Sequence, residues 1–402
     1  MNFFQSLLVN FLLFIRHTEV DGGCILSPDR ADFGTPSPVY LRNGVYLEPD
    51  ARNGKIELQR SDTITLACPG KGNYLIYDNY TKAYDVLEAH CITDQTFRIE
   101  RWIGEFKNVK CKTQPWVTSE ETSATCYGGS KIYRVGYKVK DYFYKLYESC
   151  FDKTLLLTHY VEYYMTPERM FSQRKFRRPQ FIDGGHFGKV RMSALYKLDN
   201  QKNRLDVTLG KSTSNLFLTK NQFLTRGHLA ASADFCMHAQ SRATFQYINT
   251  GPQWLKGNAG DWAALEDSLR RRINTLGVNA TVYTGTHGTM VLPDKNGALK
   301  EIYLDTDANN NGIVPVPLYF YKVVYDPMQQ KASAFISINS SFYNQTLTDE
   351  LTFCNDICDG NKNFSWLKWR ANDGTFSFCC DYNEFSRTVD YLPIHTVKGT
   401  FY

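Results

Sequence analysis

Between residues 24 and 150, short aromatic and β-branched runs at 64–68, 74–77 and 133–137 alternate with Gly, Asn and Asp. Runs of this kind between turn residues predict short β-strands. Further along the period changes. Trp262, Leu265, Leu269, Ile273 and Leu276 recur at three- and four-residue intervals, one face of a helix, and Gly277 stands where such a helix would end. After Val314-Pro315-Val316-Pro317, residues 319–325 and 332–338 read as two core strands. Strands mixed with one good helix imply an α+β chain, and no internal repeat is visible. The first apolar run, residues 3–15, is too short for a permanent membrane span, which takes about 20 residues. It suits a secretory signal, although no Lys or Arg precedes it and Gln5 and Asn10 interrupt it. The competing reading is a buried N-terminal helix. Residues 1–23 are therefore taken as a signal peptide cut within 18–23, leaving a secreted chain with no stable membrane association.

Composition narrows this picture. The 402 residues are 43% hydrophobic and 22% charged, which excludes a disordered or collagen-like chain, and the length suits two domains. A net charge of +5 is too small for a polycation, so any nucleic-acid contact must be local. The basic run at 174–178 is one candidate for a phosphate-contacting rim, against a plain reading as a solvated linker or processing site. Asn79, Asn279, Asn339, Asn344 and Asn363 each head an Asn-x-Ser/Thr sequon, usable for glycans only in the secretory pathway.

The eleven cysteines fall into an early group of six (Cys24, Cys68, Cys91, Cys111, Cys126, Cys150) and a late group of four (Cys354, Cys358, Cys379, Cys380). In an oxidising compartment these read as two disulfide sets, leaving Cys236 unpaired. A zinc site built from the late group and His395 is disfavoured, because adjacent Cys379 and Cys380 would crowd a tetrahedral centre. The early group marks residues 24–150 as a disulfide-rich β module, and residues 151–402 form the second domain. Asp305-Thr306-Asp307 opens like a calcium loop, but Asn310 and Val316 stand where Gly and Glu are needed, so a turn is expected there.

The candidate chemistry lies in the second half. Arg226-Gly227-His228 is followed by Asn249 with Pro252-Gln253, then Asn258, then Trp262 with Leu265-Glu266. Eight residues carry Glu266 about 80° past two helical turns from Asn258, so the two share a face if the helix begins near Asn258. Singly these residues have plain readings: a structural His228, Asn258 as a helix N-cap, and Glu266 paired with Arg270 at i+4. Trp254 and Trp262 read as core.

As an ordered set the residues resemble the DNA/RNA non-specific endonucleases of the ββα-metal fold, most clearly over residues 178–325. The flanking cysteine-rich segments resemble the arthropod branch, with its duplex nucleases and double-stranded ribonucleases. The resemblance implies a mixed, mostly antiparallel sheet with packed helices, and a nuclease over residues 151–402. It assigns His228 as general base, Asn258 as direct metal ligand and Arg226 as phosphate-stabilising arginine. It also makes Asn249 and Glu266 residues that order the metal's waters and the site. Mg²⁺, with Mn²⁺ as a substitute, fits an oxygen-ligand site. DNA and RNA, mostly duplex, are the implied substrates, cut to 5′-phosphates without use of a 2′-hydroxyl. Thr225 departs from the Asp that many members carry there, which puts metal affinity and pH optimum in question. A further upstream arginine is expected, with Arg191 and Arg204 as candidates. The competing functions are a non-catalytic nucleic-acid binder, which would lack His228 or Asn258, and an intracellular mitochondrial-type nuclease, which the cysteines and sequons oppose.

Overall fold

The computed structural model describes residues 22–77, 83–173, 177–370 and 376–402. The signal segment, the sequon at Asn79 and the first three residues of the basic run lie outside these.

Hydrophobic alternation in the first hundred residues folds as expected into a small antiparallel sheet. Its six strands run in the order Val45–Tyr46, Val39–Arg42, Thr63–Ala67, Val86–Thr93, Thr96–Ile99 and Trp102–Glu105. Cys24–Cys91 and Cys68–Cys111 staple it. Each such link withdraws entropy from the unfolded chain, typically about 2–4 kcal/mol of stabilisation. Phe33, Tyr40, Phe97 and Phe106 stack edge-on or tilted in its core.

From Thr118 the chain enters a larger sheet. In chain order its first strands are β1 (Thr118–Thr125), β2 (Lys131–Val139), β3 (Tyr142–Asp152) and β4 (Leu157–Met165). Helix α1 (Leu198–Leu209), the separate pair β5 (Leu224–His228) and β6 (Thr250–Trp254), and helix α2 (Ala263–Leu276) follow. Then come β7 (Ala280–Thr289), β8 (Pro317–Asp326), β9 (Lys331–Ile338), β10 (Phe376–Asp381) and β11 (Gly399–Thr400). The nine-stranded sheet is ordered β1-β2-β3-β4-β7-β8-β9-β10, with β11 beside β9 as its one parallel neighbour. The chain is thus α+β and mostly antiparallel.

This sheet moves the boundary read at residue 150. Strands β1 to β3 belong to the large sheet, and Cys126–Cys150 links the β1–β2 turn to β3 rather than stapling the module. Cysteines that are neighbours in sequence thus serve two sheets. The late cysteines pair as Cys354–Cys380 and Cys358–Cys379, and Cys236 is free and buried.

The two parts interlock. Val39, Leu41 and Ala67 of the module pack in the core of the large sheet, while Cys236 and Met237 pack in the module's core. Arg169 reaches Glu48 at 3.0 Å, and Asn274 donates to the carbonyl of Ala51 at 2.8 Å.

Helix α2 forms because Trp262, Leu265, Leu269 and Ile273 bury one face, each side chain contributing roughly 1.5–3 kcal/mol. Leu276, expected on that face, is 40% exposed at the end of the helix. Gly277 ends it in the left-handed region (φ 65°), its N–H capping the carbonyls of Ile273 and Asn274. The acidic loop at 305–316 is a hairpin turn, as expected, with Asp307 accepting from the backbone of Asn309 and Asn311.

Candidate active site

The site is built by β5, β6 and α2. Strands β5 and β6 pair with Arg226 opposite Pro252 and His228 opposite Thr250. Gly227 is required by that pairing: a Cβ there would sit 2.3 Å from Gln253 Oε1 and 2.8 Å from Gln253 Cβ. A turn of π-helix, Asn258–Trp262, then leads into α2. It is kinked at Gly260 (φ −100°, ψ −111°), and this kink rather than a continuous α-helix brings Asn258 and Glu266 to the same cleft. The cleft has a volume of about 820 Å³, and Arg178, Arg226, His228, Asn258 and Glu266 all line it.

His228 is half-buried between the rings of Phe181 and Phe245, at 5.0 and 4.8 Å. Its Nε2 is buried with no hydrogen-bond partner among the described residues, so it is not the satisfied structural histidine of the plain reading. Burial, helped by the positive charge of Arg178, lowers its pKa to about 3, against a weaker upward pull from Asp234. The imidazole is therefore neutral across the physiological range and able to accept a proton.

Arg226 is held by aromatic rings and, among the described residues, not by a carboxylate. Its guanidinium lies 4.6 Å from the centre of Tyr196 and 5.5 Å from Phe181, and its Nε donates to Tyr247 Oη at 3.1 Å. Such a box fixes the planar fork while leaving its charge unneutralised. Asn258 has helical backbone angles and is no helix N-cap; its backbone N–H closes the preceding turn on the carbonyl of Leu255. Its Nδ2 donates to Thr225 Oγ1 at 2.9 Å.

Glu266 forms no hydrogen bond or ion pair with a described residue; Arg270, its expected partner, bonds Asp234 instead. Burial raises the Glu266 carboxyl above the usual range, and Lys322, from the middle of β8, pulls it back. Lys322 is fully buried and donates to Thr284 Oγ1 at 2.6 Å and to Tyr163 Oη at 3.1 Å. Tyr163 in turn donates to Asp234 Oδ2 at 2.6 Å.

Asn249 is not brought to the cleft. Its Oδ1 accepts from Ala230 N at 2.8 Å, and its Nδ2 donates to the carbonyls of Ala230 and Thr244 at 2.9 and 2.8 Å. With both amide donors spent on backbone, it holds the chain just past His228 in place. Trp254 and Trp262 are both core. Of the arginines, neither Arg191 nor Arg204 lines the cleft; Arg204 reaches the carbonyl of Tyr303. Arg178, at the end of the basic run, does. Asp234 and Lys322 went unread in the sequence, because a lysine inside a β-branched run carries no motif.

Residues 128–385 match the DNA/RNA non-specific endonuclease family. The chain belongs to that family. It is a nuclease, of a family of metal-dependent nucleases that act on nucleic acid. The chain is 30% identical over 368 residues to a salivary endonuclease of Lutzomyia longipalpis, covering 89% of this chain and 81% of the relative. It is 26% identical to salivary protein Tsal2A of Glossina morsitans morsitans over 98% of this chain and 99% of the relative. A salivary endonuclease of Culex quinquefasciatus is 23% identical, over 86% of this chain and 88% of that one. These alignments run well beyond the 128–385 segment, so the nuclease resembles its salivary relatives in the flanking module as well as in the site.

Proposed function

We propose that the cleft between β5, β6 and α2 hydrolyses phosphodiester bonds of DNA and RNA, preferring duplexes and leaving 5′-phosphates, with Mg²⁺ or in its place Mn²⁺. One observation carries this reading: a neutral His228, Asn258, and Arg226 and Glu266 that form no ion pair among the described residues line a single cleft. The donor set suits a hard cation, because Asn258 ties its nitrogen to Thr225 while its Oδ1 and the Glu266 carboxylate take no hydrogen bond among the described residues. Asn258 would hold the cation directly, with Glu266 ordering water around it, and the cation supplies charge neutralisation at the phosphate and the leaving oxygen.

The chain's own groups do the rest. His228 takes a proton from the attacking water, a role open to a neutral imidazole whose Nε2 has no hydrogen-bond partner among the described residues. Arg226 presents its fork to the non-bridging oxygens, its plane set by Tyr196. Arg178, exposed at the mouth, adds positive potential where a phosphate backbone would pass. No group is aimed at a ribose hydroxyl in this scheme, so both sugars are accepted. Five disulfides and salivary relatives support secretion. In this reading residues 118–402 carry the nuclease, flanked by the module.

The test incubates purified protein with duplex DNA, duplex RNA and single strands, with Mg²⁺ or EDTA, beside His228→Ala. Cleavage is expected only with the metal and the histidine, and faster on duplexes. Cutting that survives both EDTA and the substitution overturns the mechanism; equal rates on single strands overturn the duplex preference.

A further inference from the structure

Thr225 stands where an acidic residue was expected, and its hydrogen bonds show what it does there. Its hydroxyl donates to the carbonyl of Gln253, across the β5–β6 pair, at 2.8 Å. A backbone carbonyl can only accept, so the single proton of the Thr225 hydroxyl is committed to it. Toward Asn258 the hydroxyl therefore offers only lone pairs, and Asn258 answers with its Nδ2 at 2.9 Å. A side-chain amide has two chemically different ends. Fixing the nitrogen end on Thr225 turns the oxygen end away from it.

We propose that Thr225 is the positioning residue that sets the polarity of the Asn258 amide, so that Oδ1 and not the NH₂ group faces the cation. The inference rests on the metal-site reading above. Without Thr225, an NH₂ group turned toward the cation would repel it, and the two amide orientations would be nearly degenerate. An aspartate at 225 would accept from Nδ2 in the same sense. The threonine keeps the polarity that matters, gives up a negative charge, and gains a tie to the neighbouring strand.

The test measures Mn²⁺ binding by electron paramagnetic resonance in the absence of nucleic acid, for the full-length protein. Thr225→Val is expected to weaken binding by roughly 10–100-fold, the usual loss when a residue that orients a ligand is removed. Thr225→Ser and Thr225→Asp should stay within about threefold of the parent, well short of that loss. Thr225→Ala takes the place of the valine variant if that one does not fold. In an Asn258→Asp background, where both ligand atoms are oxygens, Thr225→Val should add no further loss. Wild-type affinity in Thr225→Val or Thr225→Ala, with affinity lost in Asn258→Ala, overturns the positioning role and leaves the metal site standing. Undiminished binding in Asn258→Ala overturns the metal-site reading itself, and this inference falls with it.

Discussion

Arg270 Nη1 donates to Asp234 Oδ1 at 2.8 Å, although Glu266 stands one helical turn before it on α2. The arginine is thereby kept off the cleft carboxylate. Asp234 is fully buried, and Tyr163 satisfies its other oxygen. Removing the arginine strands a charge that cannot reach water. Arg270→Met is expected to lower stability by about 3–5 kcal/mol, read from the midpoint of a denaturant titration. A loss below about 1 kcal/mol, the range of an exposed pair, would show that Asp234 is not held this way.

The depressed basicity of His228 has a consequence for acid stability. The unfolded chain protonates this imidazole below about pH 6.5, whereas the folded chain resists until about pH 3. Unfolded chains then hold more protons, so stability must fall as pH drops through that window. His228→Asn should flatten the decline between pH 6.5 and 4.5, by up to about 1.4 kcal/mol per pH unit. Parallel stability curves for parent and variant would count against a neutral, buried imidazole.

Catalysis should feel Arg178 in the same sense. The arginine lowers the pKa of both His228 and Glu266. Its removal in Arg178→Ala should move the acid limb of the kcat/KM profile to higher pH. An unmoved limb, with only KM raised, would confine Arg178 to substrate contact.

Four of the sequons lie among the described residues, and they are not equivalent. Asn279, Asn344 and Asn363 are exposed. Asn339 is buried, with Nδ2 donating to the carbonyls of Pro252 and Pro317 at 3.0 and 2.9 Å and Oδ1 accepting from Trp254 N at 3.0 Å. A glycan on that nitrogen would take one of its two hydrogens, and with it one of the bonds by which Asn339 ties β6 and β8 together. Peptide mass spectrometry of folded protein from a secretory host should find glycan on the exposed three and none on Asn339. Occupancy at Asn339 in active protein would refute the assignment.

Cys236 gives a simple count. Its thiol is buried, and burial raises its pKa far above the ordinary thiol range. A thiol reagent should find no reactive group in the native protein and one after denaturation without reductant. Reaction in the native state would mean that the module does not cover it as described.

The candidate groups are legible because their order along the chain is itself the signal: Arg226, His228, Asn258 and Glu266 all reach one cleft. Asn249 sits in the same ordered pattern, yet a motif cannot tell an amide that faces a cleft from one spent on backbone. Lys322 and Asp234 were silent, since their meaning comes from β8 and the loop after β5 meeting in space. Sheet membership was likewise invisible: Cys126 and Cys150 look like their neighbours in sequence, and only strand pairing separates them.

The interlocking cores set a rule for engineering. Val39, Leu41 and Ala67 are lent to the large sheet, and Cys236 and Met237 are lent back. Trimming the chain to residues 128–385 would leave apolar holes on both sides of the cut. Grafting the module from one salivary relative onto another would transplant half of two cores, so a working chimera has to carry the loop at 236–237 across with it.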